Sequence, residues 1–180
     1  MKPTGTSSAR LAALTVLLGA GIAIASQFVA AYALEDRFGL TIETVTLFGK
    51  HGPFVVIAAL GAIGALAWAV LSGSRQALVP LLGMGIAILL VFLLVDLPDA
   101  GDTGLYDTPG SGNLDATGAA AAGLWLELVG GLVIVLGTIG LMALDRDTIR
   151  SIRRSRPPGR GRSRPTRTSR TKRPGRSETG

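Results

Sequence analysis

The chain has 180 residues, of which 48% are apolar and 17% charged, with 25 glycines and a net charge of +6. Its apolar residues stand in continuous blocks rather than in alternating or amphipathic patterns, which excludes an ordinary soluble domain for most of its length. With no cysteine and a single histidine, His51, the composition also excludes disulfides, thiol nucleophiles, thiolate metal sites and a multi-histidine metal site within one chain.

The positive charge is confined to one end. Residues 1–144 carry five Lys/Arg against nine Asp/Glu, whereas residues 145–180 carry thirteen against three. Residues 1–10 form a short N-terminal segment with Lys2 and Arg10. The first apolar run, 11–34, is interrupted only by Thr15, Ser26, Gln27 and small residues. It has a rival reading: Lys2 and Arg10 as the basic region of a secretory signal, with Ala31-Tyr32-Ala33 as its cleavage pattern. The run is long for a signal peptide, which favours a retained span.

The loop after it mixes Leu40, Ile42, Val45, Leu47 and Phe48 with threonines and Glu43, a pattern suited to a short strand or an interfacial cap. His51 is expected in the loop that enters the second run. That run covers 53–71, with Pro53 suited to a first helical position where a missing N–H costs nothing. A short turn carrying Arg75 leads to the third run, 77–95, and makes the second and third runs antiparallel neighbours. The loop that follows, 96–118, holds five aspartates and no basic residue. Its spacing does not fit an EF-hand, so it reads as a solvated acidic loop.

The fourth run lies within 121–144. Each run offers about 19 residues or more, enough at 1.5 Å per residue to cross a hydrocarbon layer about 30 Å thick. A backbone in lipid must satisfy its own hydrogen bonds, so the runs are expected as helices. The fold class expected is all-α, a membrane domain over 11–144 with four transmembrane helices. The lysines and arginines put both termini and the Arg75 turn on the cytoplasmic side.

Small residues should mediate helix packing in lipid. Gly123, Glu127, Gly130, Ile134, Gly137 and Leu141 repeat at alternating intervals of four and three, one stripe of the fourth helix. Gly61, Ala65 and Ala69 make a similar stripe on the second helix, and Gly21 with Ala25 a shorter one on the first. Glu127 is the one acidic residue well inside an apolar run, and buried ionisable groups in membranes are candidate functional sites. Gln27 is its expected hydrogen-bond partner.

Residues 145–180 are Arg, Pro, Gly, Ser and Thr with no apolar anchor after Ile152, a composition expected to stay disordered. Arg146, Arg150, Arg153, Arg154 and Arg156 are the expected contacts to anionic lipid, each contributing about 1 kcal/mol near the surface. The tail has no aromatic residues to stack on bases, which argues against sequence-specific nucleic-acid binding.

At Asp96-Leu-Pro-Asp99, Gly104-Leu-Tyr106 and Gly123-Leu-Trp-Leu-Glu127 with Gly130, the chain resembles uncharacterised small four-span membrane proteins of high-GC bacteria. The likeness covers residues 10–144 and implies a multi-pass plasma-membrane protein without an assigned activity. No paired acid and base, Ser–base pair or metal cluster is visible within the spans, so no enzyme and no cofactor are expected. The reading is a structural or interaction component, alone or in a homo- or hetero-oligomer. The alternative is a small transporter or channel component with Glu127 as a proton or cation site or a polar packing contact.

Overall fold

The computed structural model of the protein describes residues 5–36, 38–108 and 112–144. Four helical stretches in it are long and apolar enough to cross a membrane: Ser7–Ser26, Phe54–Ser72, Arg75–Asp99 and Ala122–Met142. The first is most of α1 (Gly5–Ser26), the second is α3 (Phe54–Ser72) and the fourth is α6 (Ala122–Met142). The third is composite. It begins with a 3-10 turn, Arg75–Ala77, continues as α4 (Leu78–Val91), widens to a π-helical turn at Phe92–Asp96 and closes with α5 (Leu97–Asp99). Pro98 follows the wide turn. Its lacking N–H deprives the carbonyl four residues earlier of an α-helical partner, a recognised reason for a helix to change its winding.

The helices close a ring in which α1 packs on α3, α3 on α4, α4 on α6 and α6 on α1. Their shared core runs through Val16, Ala20, Ala59, Leu81, Ile88 and Ile134. The α1–α6 seam is the closest. A side chain at Gly130 would meet the backbone nitrogen of Ala23 at 2.7 Å, and one at Gly19 would meet that of Ile134 at 2.8 Å. Removing side chains from both partners lets the backbones approach and gain dispersion contacts that lipid cannot supply better.

The all-α expectation is corrected by a four-stranded antiparallel sheet of order β2-β1-β4-β3, built from β1 (Ala30–Asp36), β2 (Thr41–Thr46), β3 (Thr103–Thr108) and β4 (Gly112–Ala120). Two segments that are far apart in sequence meet here, the one between α1 and α3 and the one between α5 and α6. The first apolar run does not stay helical to residue 34. It leaves the helix after Ser26, because Ala30–Leu34 finds strand partners in both β2 and β4. The region 96–118 is likewise no solvated loop over its described part: Asp96 is fully buried, and β3 and β4 form a hairpin.

The sheet stands on the α6 end of the bundle. Ala31, Tyr32, Leu47, Phe92 and Leu124 make a second apolar cluster that joins strand to helix. A short α2 (Leu47–His51) sits at this junction, its first turn capped by Thr46, whose hydroxyl accepts the Gly49 N–H at 3.3 Å. His51 thus ends a helical turn instead of lying in a loop. Arg146, Arg150, Arg153, Arg154 and Arg156 lie outside the described residues.

Candidate functional site

Polar groups converge where the sheet meets the helix ends. Each is brought there by a different element. Gln27 follows the last residue of α1, Tyr32 comes from β1, Lys50 from α2, Asp96 from the π turn, Asp99 from α5 and Glu127 from α6. Backbone contacts hold these elements in register. The Phe48 N–H donates to the Gln27 carbonyl at 3.1 Å, and the Ala121 N–H to the Ala31 carbonyl at 2.7 Å.

Tyr32 is the hub. Its hydroxyl lies 2.8 Å from the Asp96 carbonyl and 3.1 Å from Asp96 Oδ1, and it donates its one proton between them. It accepts from Lys50 Nζ at 3.2 Å. The ammonium also pairs with Asp96 Oδ1 at 3.4 Å and with Asp99 Oδ2, and it stands 4.6 Å from the centre of the Tyr32 ring. One cation therefore serves two carboxylates and an aromatic face. Burial drives the Tyr32 phenol well above its ordinary range. The Asp96 charge and the hydrogen bond to it act in the same direction, as does the charge of Asp99. A phenol in this place stays protonated and works as a fixed donor, since ionising it would add a charge beside carboxylates in a desolvated site.

Beside this chain the structure places the two polar residues singled out in the sequence. Gln27 and Glu127 are both fully buried. Gln27 lies close to Glu127 where the end of α1 meets α6. Its amide nitrogen donates to the Ser26 hydroxyl at 3.2 Å. Gln27 Oε1 and both carboxylate oxygens of Glu127 have no hydrogen-bond partner among the described residues.

The stripe that carries Glu127 is buried along its length, with Gly123, Gly130, Ile134, Gly137 and Leu141 all facing protein. A side chain at Gly123 would collide with the Val29 carbonyl at 2.6 Å, and one at Gly137 with Val16. On α3 the buried row is Val55, Ala59, Ala62, Leu66 and Ala69. Gly61 and Ala65 are half-buried at its margin, Gly61 against Met84. Gly21 and Ala25 are exposed, so the expected small stripe of the first helix is not its packed face. Val16, Gly19, Ala20 and Ala23 supply that face.

Sequence reading missed Tyr32, Lys50, Asp96 and Asp99 as a group. Asp96 and Asp99 appear there as loop acids, and Lys50 is not singled out.

A cavity of about 290 Å³ opens beside the cluster, lined by Tyr32, Leu34, Val45, Lys50, Asp99 and Asp102. Below it the bundle is lined by apolar side chains. Among the described residues the one buried polar side chain deeper than Glu127 is Thr138, whose hydroxyl donates to the Ile134 carbonyl of its own helix at 2.7 Å. No group of three or more metal-binding side chains occurs among the described residues. Compared with known families, curated proteins and solved structures, the chain matches none.

Proposed function

We propose that the chain is a non-enzymatic integral membrane protein of the plasma membrane, a four-helix anchor that presents its sheet outside the cell and its basic tail inside. The observation that carries this reading is the division of polar groups. Tyr32, Lys50, Asp96 and Asp99 answer one another at the sheet end. The bundle below Glu127 is lined by Val16, Ala20, Leu81, Ile88 and Ile134. A translocation path would need polar groups or broken helices near the midplane, whereas this interior favours a rigid support. The orientation rests on the thirteen basic residues after Leu144 and on Arg75 in the α3–α4 turn.

In this role the sheet is the outward interaction surface, and the tail engages anionic lipid or a cytoplasmic partner. Crosslinking and co-purification from native membranes, with and without residues 146–180, test it. A specific partner recovered with the full chain supports the reading. Isolation as a lone species in both forms contradicts it.

One observation favours a second reading as a proton or cation site of a small transporter: the buried, unpartnered oxygens of Glu127. Under that reading Glu127→Gln abolishes a flux measured in reconstituted vesicles. Under the anchor reading, vesicles with and without the protein show the same flux.

A further inference from the structure

We propose that the groove between α1 and α6, at the end of the bundle away from the sheet, is a binding site for one anionic phospholipid. An acyl chain lies in the groove, and Arg75 and Arg10 hold the phosphate at its mouth. The proposal rests on the membrane-anchor reading above and adds a defined lipid partner to it.

The groove has a volume of about 320 Å³ and is lined by Leu11, Ala12, Thr15, Leu136, Gly140 and Leu144. Leu11 and Leu136 are 68% and 63% exposed, so both remain open to a lipid chain. Two hydroxyls also line the groove: Thr15 donates to the Leu11 carbonyl at 3.0 Å within its own helix, and Ser8 lies two residues before Arg10, at the groove's charged end. An apolar chain can therefore lie beside Thr15 without stranding its hydroxyl.

The charge at the mouth selects the headgroup. Arg75 reaches from the α3–α4 turn and donates through Nη2 to the carbonyl of Leu144, a residue that lines the groove. Its Nε is buried and has no hydrogen-bond partner, and Arg75 makes no ion pair among the described residues. A planar guanidinium with donors to spare suits a phosphate oxygen. Arg10 is exposed and adjoins Leu11 at the same end. The thirteen basic residues of 145–180 begin directly after Leu144. This end of the molecule thus offers cations where the apolar groove offers room for a chain, which is the charge complement of an anionic phospholipid.

Gly140 gives a clean way to fill the groove. A Cβ there would meet Ala12 Cβ at 3.6 Å, an ordinary contact, whereas one at Gly137 would press on Val16 at 2.8 Å. A side chain at 140 therefore starts in ordinary contact, and leucine there is the chosen way to fill the groove.

The test uses the full chain in detergent micelles containing equal amounts of phosphatidylglycerol and phosphatidylcholine, with retained lipid counted by native mass spectrometry. The expected result is one retained phosphatidylglycerol per chain, preferred at least tenfold over phosphatidylcholine. Gly140→Leu and Arg75→Gln should each cut retention at least fivefold, and Arg75→Lys should restore part of it. Gly140→Ala controls for folding, and each variant's thermal transition is compared with the parent's.

Equal retention of the two lipids would overturn the proposal. So would several phosphatidylglycerols retained through the tail alone, lost in high salt and unchanged by Gly140→Leu. A stable dimer that Gly140→Leu dissociates would assign the groove to a second copy of the chain and also overturn it. Each of these outcomes leaves the anchor reading standing, because that reading is tested by membrane topology and partner capture.

Discussion

The α1–α6 seam and the sheet–helix junction are held by opposite means. The seam works by omission: Gly19, Gly123, Gly130 and Gly137 let two backbones approach, and added atoms have nowhere to go. The junction works by provision: Tyr32, Lys50, Asp96 and Asp99 supply partners to one another. A stretch dissolved in lipid can rely on shape alone. A stretch that buries polar side chains favours partners for their donors and acceptors.

The largest effect expected from breaking this contrast is at the seam. Gly130→Val should destabilise the folded chain by about 3 kcal/mol, at the upper end for overpacking, because its Cβ would meet backbone rather than a flexible side chain. Thermal unfolding in detergent checks it, with Gly140→Ala near neutral on the same helix.

Next comes Lys50→Met at the junction. It removes the ammonium that pairs with the fully buried Asp96. Complete loss of a buried pair costs about 3–5 kcal/mol, and the partial exposure of Lys50 should bring this to about 2 kcal/mol. Restoring stability by pairing Lys50→Met with Asp96→Asn would show that the carboxylate charge, and not lost packing, is the cause.

Tyr32→Phe should cost about 1–2 kcal/mol, the usual penalty for leaving buried partners of a hydroxyl unsatisfied. The same residue sharpens the comparison through pH. Its folded pKa is raised above the ordinary 10.0, so its contribution is fully present below that value and is lost as pH rises further, when the unfolded chain gives up the proton first. The chain has two tyrosines. In a Tyr106→Phe background, tyrosinate absorbance from Tyr32 should therefore stay absent beyond the ordinary phenol range until the protein unfolds.

The seam was more legible in the sequence than the junction, and for a physical reason. A helix face repeats within one segment, so the intervals from Gly123 to Leu141 reveal it locally. On α1 small residues occur on several faces, and the choice of Val16, Gly19 and Ala23 over Gly21 and Ala25 was made by the partner helix. The junction joins residues up to a hundred positions apart, and Ala30–Leu34 carries an apolar composition that serves helix or strand equally. Its strand state depends on β2 and β4, which no local pattern announces. Asp96 and Asp99 looked like loop acids because their answering cation, Lys50, comes from another segment.

The account depends most on the sheet and the Arg75 turn lying on opposite sides of a membrane. The chain has no cysteine of its own, so single substitutions report cleanly. Thr44→Cys on β2 and Ser74→Cys in the α3–α4 turn, treated in intact cells with a membrane-impermeant maleimide, measure it directly. Labelling at 44, with 74 protected until the cells are broken, is the expected result; labelling at 74 in intact cells, or equal access to both positions, would contradict it.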